Sequence, residues 1–269
     1  MSKLISIIMG IYNCADTLDE AIESMTSQTY TNWELIMCDD GSVDDTYNVA
    51  KKYADKDPEK FILIKNEKNL GLNETLNKCL ALAKGDYIAR MDGDDISVPE
   101  RFREQLDAFD ENPDIAIVGS DMELFDENGV WGRTHKPFRP SNKYFMRKNP
   151  HCHASCMVKK EAFDAVGGYT VDNKLLRVED YHLWVKMYAE GYRGININKP
   201  LYKMRDNRDA QARRKFRYRI NAVYAKAYAV KNLKLPFYNY VYCALPILKG
   251  LVPRFLYRKI HRKNLSGGK

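Results

Sequence analysis

Leu4-Ile5-Ser6-Ile7-Ile8-Met9 is a short, nearly continuous apolar run, the pattern of a strand buried on both faces. Beyond it Leu18, Ala21, Ile22 and Met25 recur at helical spacing, and Trp33 to Cys38 reads as a second strand. The alternation continues with a helix from about Asp44 to Ala54, a strand from Phe61 to Lys65, a helix from Asn73 to Ala83 and a strand from Tyr87 to Met91. Repetition of this kind predicts an α/β fold with a mostly parallel, doubly wound central sheet and helices on both faces. Ligands of such sheets sit at the carboxyl ends of the strands, so the residues just after each strand are the ones to read for chemistry.

The second half is less regular. It predicts a helix from Arg101 to Phe109, strands near Ile115 to Val118 and Ser155 to Val158, and a helix from Glu179 to Ala189, together an α+β elaboration of the same sheet. From Asp209 to about Asn232 the sequence is strongly helical, and from Leu235 to Leu256 it turns apolar and aromatic. We divide the chain into a body, residues 1–208, and a basic, aromatic, helical C-terminal extension, residues 209–269. No internal repeat or Gly/Ser linker interrupts them.

The 269 residues carry 43 Lys+Arg against 36 Asp+Glu, but the signs are unevenly spread. After Asp209 there are 15 basic residues and no acidic one, which leaves the body net negative. A basic tail on an acidic body points to a polyanionic partner for the tail, and the acidic body disfavours extended contact with nucleic acid. Six scattered cysteines without disulfide-scaffold density read as reduced thiols, and the N-terminal apolar run is too short for a signal peptide, so a cytoplasmic setting is expected.

The first strand runs into Met9-Gly10-Ile11-Tyr12-Asn13, which is neither a dinucleotide fingerprint nor a P-loop. The second ends in Asp39-Asp40-Gly41-Ser42 and the fourth in Asp92-Gly93-Asp94-Asp95, so two acidic clusters fall at strand ends of one sheet. Five converging carboxylates repel one another unless a cation or hydrogen-bond donors compensate. Asp-x-Asp at a strand end suits Mg²⁺ or Mn²⁺, which take one or two carboxylates and fill their other positions with water and phosphate. Either cluster alone reads as a solvated turn; the pair at matched strand ends reverses that reading in favour of a diphosphate site. Glu179-Asp180 opens the helix carrying Leu183, Trp184 and Met187, where carboxylates complement the helix dipole or, functionally, direct a general base into a cleft.

Six ordered motifs between about Ser2 and Arg208 carry a resemblance. They are Ser6 to Asn13, Asp39-Asp40-Gly41-Ser42-x-Asp44-x-Thr46, Asn69-x-Gly71, Asp92-Gly93-Asp94-Asp95, Gly167-Gly168-Tyr169, and Glu179-Asp180-Tyr181-x-Leu183-Trp184. The series resembles the family 2 glycosyltransferases, and the resemblance implies the GT-A fold, a nucleotide-sugar donor, a divalent metal and inversion at the anomeric carbon. It implies further that Ile11 and Tyr12 line the nucleotide and that Asp40, with Asp39 beside it, accepts the imide N–H of uracil. On the same grounds Asn69 joins the nucleotide-sugar site, Asp92 contacts the ribose and lies beside the metal, Asp94 ligates the metal, and Asp180 is the base with Glu179 its neighbour.

Other features are less specific. His151-Cys152-His153-Ala154-Ser155-Cys156 invites a zinc site, but no second Cys/His pair at ligand spacing accompanies it. His153 is expected near the acceptor, while Trp184 reads as core and Gly167-Gly168 as a turn. Arg205, Arg208, Arg213 and Arg214 read either as a solvated face or as a clamp for a diphosphate of donor or acceptor. The uncharged run from Leu235 to Leu248 is too short to span a bilayer, and with Arg254, Arg258, Lys259, Arg262 and Lys263 after it the tail suits the surface of the cytoplasmic leaflet. Packing of the tail on the protein is the plain structural alternative. The whole predicts a metal-dependent UDP-sugar transferase acting on a hydroxyl of a lipid-linked saccharide in bacterial polysaccharide assembly, with no nucleic-acid partner. The rival from another class is a noncatalytic nucleotide-sugar or RNA-binding protein with a degenerate site.

Overall fold

A computed structural model describes residues 3–206 and 216–251. In chain order the first half contains β1 (Ile5–Ile11), α1 (Ala15–Thr26), β2 (Trp33–Asp39), α2 (Thr46–Lys56), β3 (Phe61–Lys65), α3 (Leu72–Leu82) and β4 (Tyr87–Arg90). The pairs β1–β2, β2–β3 and β1–β4 are all parallel, as the apolar runs predict. Ile11 lies opposite Asp39 and Asp39 opposite Lys65, so the first three strands end flush at one edge.

The second half adds β5 (Ile96–Ser97), α4 (Arg101–Glu111), β6 (Ile117–Asp126), β7 (Gly129–Arg133), β8 (Met157–Lys159), α5 (Lys160–Val166), α6 (Glu179–Ala189), β9 (Gly194–Arg205), α7 (Arg217–Asn232) and α8 (Leu245–Leu251). Among the described residues the sheet order is β3-β2-β1-β4-β8-β6-β9-β5, with β7 paired to β6. Here parallel and antiparallel pairs mix, β8 running antiparallel to both β4 and β6. The strand expected near Ile115 to Val118 extends to Asp126, because the Asp121 charge that breaks its apolar pattern is buried against Arg133 and His135. β9 escapes sequence reading: Asn196, Asn198, Lys199 and Pro200 interrupt it, and its register on β6 shifts around Asp121.

Two apolar layers cover the sheet. One gathers Leu18 and Ile22 of α1 with Phe102 and Leu106 of α4. The other gathers Leu76, Phe145, Tyr181, Trp184 and, from α7, Ala225 and Ala229. Helix α7 therefore shares a core with α6, while the stretch joining body and extension, with Arg208, Arg213 and Arg214, lies outside the described residues. No described helix is long and apolar enough to cross a membrane.

The strand-end loops are locked to one another. Asp40 N–H donates to Ile11 C=O (2.9 Å), Asn66 N–H to Asp39 C=O (2.8 Å), Asn13 N–H to Ser42 Oγ (3.0 Å) and Thr17 Oγ1–H to Gly93 C=O (3.0 Å). Gly41 has φ +73° and presses on the next loop, where a Cβ would stand 2.8 Å from the Lys68 carbonyl carbon. Gly41→Ala strains the backbone and forces the two loops apart. The expected loss is about 1–3 kcal/mol, read as a lower midpoint in urea unfolding; an unchanged midpoint contradicts the locked-loop geometry.

Candidate active site

At the end of β2 the two aspartates part company, because consecutive residues of a strand end point to opposite sides. Asp40 is buried with both oxygens filled: Oδ1 accepts from Asn66 Nδ2 (2.9 Å) and Leu70 N–H (2.8 Å), Oδ2 from Gly71 N–H (2.9 Å). Its carboxylate ties β2 to the loop that opens α3. Asp39 is fully buried, with Oδ1 taking a 3.3 Å bond from Ser42 N–H, while Oδ2 has no hydrogen-bond partner and only Lys65 Nζ at 3.9 Å. Of the two, Asp39 holds the unfilled acceptor. Ile11 buries its side chain, Tyr12 is 48% exposed, and Asn69 lies exposed on the loop Gly41 packs against.

At the end of β4 a buried cation offsets the acidic cluster. Arg90, 3% exposed, donates to Asp92 and to Met91 C=O, and its Nε is left without a partner. Arg101, fully buried, donates to the carbonyls of Arg90 (2.9 Å), Ala154 (3.3 Å) and Cys156 (3.2 Å), fixing the strand end from behind. Asp95 accepts from Arg205 N–H (2.8 Å), and burial with its acidic neighbours pushes its carboxyl well up. Asp94 opens to solvent, yet desolvation by its surroundings and then the charge of Asp92 raise its carboxyl. Arg205 is engaged by Asp94 C=O (3.0 Å), Glu20 and the Phe125 ring, so it shapes this loop and is not a free clamp.

Glu179 and Asp180 begin α6. Burial raises the Asp180 carboxyl, but Tyr181 N–H (2.7 Å), Asn149 Nδ2–H (2.5 Å) and the nearby Lys136 charge all favour its ionised form. Glu179 is pushed up to about 7 by burial and then by Asp180, against the smaller pull of its own and the Arg177 backbone N–H and of the Arg177 charge. The two carboxyls titrate together, both raised by burial, with the donors around Asp180 favouring its charged form. Tyr169 joins the two acidic stations: burial raises its hydroxyl, and Arg90, Asp180 and Asp92 all act on it. The Gly167-Gly168 turn seats it, both glycines having positive φ, with Asn77 bonded to both Tyr169 N–H and C=O at 2.8 Å.

His153 bonds the Tyr169 hydroxyl at 2.7 Å and meets the Trp184 ring edge-on, and burial holds it well below the usual histidine range. The other soft ligands of that segment have separate partners. His151 bridges Asn196 (2.9 Å) and the Tyr188 hydroxyl (3.0 Å), and the thiols of Cys152 and Cys156 turn to Thr134 and to the Cys152 carbonyl. No described group of three or more His, Cys, Asp or Glu gathers for a metal. Asp94, exposed two residues after the half-buried Asp92, is the carboxylate here suited to a hard divalent cation, which takes one or two carboxylates and fills its other positions with water and phosphate oxygens.

Residues 6–167 match the family described as Glycosyl transferase family 2. The chain belongs to this family. EpsE of Bacillus subtilis, which bears a glycosyltransferase name, is 41% identical over 98% of this chain and 95% of its own length. An Escherichia coli UDP-Gal:α-D-GlcNAc-diphosphoundecaprenol β-1,3-galactosyltransferase is 32% identical over 97% of each chain. WfaP of Escherichia coli, a UDP-Glc:α-D-GlcNAc-diphosphoundecaprenol β-1,3-glucosyltransferase, is 33% identical over 73% of this chain and 74% of its own. In fold, this glycosyltransferase is similar to TarS of S. aureus solved with UDP-GlcNAc, at TM-score 0.72 and 15% identity, covering 96% of this chain and 79% of that one. It is similar also to the mannosyltransferase PcManGT of Pyrobaculum calidifontis in complex with GDP-Man and Mn²⁺, at TM-score 0.66 and 17% identity, covering 96% and 78%. The GT-A architecture implied by the resemblance is the one the chain has.

Sequence reading missed four residues of this glycosyltransferase's site: Arg90, Arg101, Lys136 and Asn149. An arginine inside an otherwise apolar strand was the available signal for Arg90. Glu179, raised from 4.5 to about 7, gives a stability test. A carboxyl whose folded value exceeds its unfolded one contributes fully below the unfolded value, and that contribution is lost as pH rises through about 7. Glu179→Gln therefore melts higher than wild type at pH 8 and level with it near pH 4.5. Equal melting temperatures at both pH values contradict the raised carboxyl.

Proposed function

We propose that this family 2 glycosyltransferase moves a sugar from a UDP-sugar to a hydroxyl of a lipid-linked saccharide, with inversion, in the assembly of a bacterial surface polysaccharide. The observation that carries the reading is the pair of intact acidic stations, Asp92/Asp94 after β4, where Arg90 meets Asp92, and Glu179/Asp180 at the start of α6, where Asn149 bonds Asp180. The UDP-sugars and diphosphoundecaprenol acceptors in the names of the Escherichia coli relatives support the substrate classes. Nothing favours the noncatalytic rival, because both stations are intact.

In this reading Asp39 Oδ2, the unfilled buried acceptor, takes the imide N–H of uracil, which selects against cytosine; Asp40 holds the loop that positions it. Tyr12 and Asn69 flank the nucleotide from exposed positions. Arg90 fixes Asp92 against the ribose and keeps the acidic cluster tolerable. A divalent cation, Mn²⁺ or Mg²⁺, held by Asp94 with Asp92 beside it, would stabilise charge on the departing diphosphate as a Lewis acid. Asp180, kept ionised by Asn149, Tyr181 N–H and Lys136, removes the proton of the acceptor hydroxyl as that oxygen attacks the anomeric carbon. Inversion is what the family resemblance implies, and a single displacement with Asp180 as base accounts for it.

Attachment to the cytoplasmic face of the plasma membrane is part of the proposal. Phe216, Ile220 and Tyr224 recur every four residues along α7, each more than 40% exposed, and Phe237 and Tyr238 follow at 85% and 62%. Aromatic and aliphatic groups among lysines and arginines suit the headgroup boundary. The basic cluster Arg254, Arg258, Lys259, Arg262 and Lys263 lies outside the described residues.

Asp94→Ala is expected to abolish the metal-dependent part of UDP binding, and calorimetry with unchanged affinity removes the metal assignment. Asp180→Asn is expected to bind UDP-sugar normally but lose transfer by about 10²–10⁴-fold. Glu179→Gln, which mimics the protonated acid, is expected to lose far less. The reverse ranking of these two variants in single-turnover assays moves the base to Glu179.

A further inference from the structure

Two segments flank the base, and both end in cations that the transfer chemistry does not use. On one side Arg147 and Lys148 are exposed and directly precede Asn149, the residue bonded to Asp180 Oδ2 at 2.5 Å. On the other, Arg177 is exposed two residues before Glu179, close enough that its charge lowers the Glu179 carboxyl. Arg177 has φ +69°, a left-handed backbone uncommon for a non-glycine residue, and its guanidinium makes no hydrogen bond or ion pair among the described residues. Between the two segments Lys136 donates to Asn149 C=O (2.8 Å) and its charge acts on Asp180.

One element braces both segments. From α7, Lys226 Nζ donates to the carbonyls of Phe145 (3.2 Å) and Met146 (2.7 Å), behind Arg147 and Lys148. One turn earlier Asn221 Nδ2 donates to the carbonyls of Asn173 (3.4 Å) and Leu176 (3.0 Å), behind Arg177. The same helix exposes Phe216, Ile220 and Tyr224. A helix whose inner face sets the spacing of two cationic lips around a base, and whose outer stripe is apolar, matches an acceptor that is anionic beside its reacting sugar and apolar beyond it.

We propose that Arg177 and Lys148 form a seat for the diphosphate of the acceptor, with α7 as the brace that holds the seat open at the base. The inference rests on the lipid-linked acceptor proposed above and adds what recognises it. The chemistry is that of charge-assisted bonds from a guanidinium and an ammonium to phosphate oxygens. Because the anomeric diphosphate of a hexose lies across the ring from its reacting hydroxyl, a cation three residues before the base and another next to the Asn149 bonded to it suit that separation. The donor diphosphate has its own station at Asp92 and Asp94, so the two anions of the reaction are held apart.

The test is calorimetry on the full chain saturated with UDP and Mn²⁺, which fills the donor site. Two probes are titrated: an undecyl α-GlcNAc diphosphate ester and the neutral undecyl α-GlcNAc glycoside, with inorganic pyrophosphate as a control for free anion. The expected result is a preference of about tenfold or more for the diphosphate ester in wild type. The preference disappears in Arg177→Gln/Lys148→Gln, returns in part in Arg177→Lys, and UDP affinity is the same throughout. Lys226→Met weakens the diphosphate ester in the same direction, checked against its own melting curve. Equal affinity for the two glycosides in wild type, or a preference that survives the double substitution, overturns the seat while leaving the acceptor class intact. A fall in UDP affinity in the double variant overturns it by assigning these cations to the donor. Wild type that binds neither glycoside removes the lipid-linked saccharide acceptor itself, and the seat with it.

Discussion

Mutual repulsion of carboxylates at one edge of a parallel sheet is the constraint on which the rest of this molecule depends. Asp39, Asp40, Asp92, Asp94 and Asp95 are brought to that edge because β1, β2 and β3 run parallel and end flush, and the chain leaves β4, parallel to β1, toward the same edge. Left uncompensated, such a cluster would take up protons or spring the loops apart. The chain answers with separate means. Backbone and amide N–H groups satisfy Asp40, the buried Arg90 meets Asp92, and Arg205 N–H meets Asp95. What remains open is Asp39 Oδ2 and the Asp94 carboxylate, one suited to an N–H donor and the other to a cation.

The acid pair at the start of α6 follows the same logic. Two adjacent acids at the start of α6 cannot both ionise cheaply in a partly buried site, so the surroundings choose between them. Asn149 and Lys136 come from the long connection between β7 and β8, and both favour the charged form of Asp180. Hydrogen bonds, rather than the identity of the two acids, thereby set which of them is better placed to carry charge. The brace from α7 extends this control, since it fixes the segment that carries Asn149 and the one that carries Arg177.

The parallel half of the fold is legible in sequence because strands buried on both faces read as apolar runs, and Phe61 to Lys65 falls where the pattern puts it. The acidic clusters are legible because Asp and Gly mark strand ends. The division of labour within Asp39-Asp40 is not, for it depends on which way two consecutive side chains point and on which loop amides reach back. Nor is β9 legible, because polar residues and a proline interrupt its alternation and a register shift accommodates them. Arg90 and Arg101 look like misplaced charges in apolar segments until the carboxylate and carbonyls they serve are in view. The weak expectation that Arg205 clamps a diphosphate gives way because its guanidinium is already taken.

The most direct measurement is thermal stability of the purified chain with UDP, GDP and CDP, each with and without Mn²⁺, alongside Asp39→Asn. The account predicts stabilisation of wild type by UDP in the presence of the metal and little by CDP or GDP. It also predicts that Asp39→Asn, whose amide can offer a donor where an acceptor is needed, loses the preference for UDP over CDP. Equal stabilisation by all three nucleotides, or a full UDP preference in Asp39→Asn, contradicts the claim that the carboxylate left open at the sheet edge reads the base.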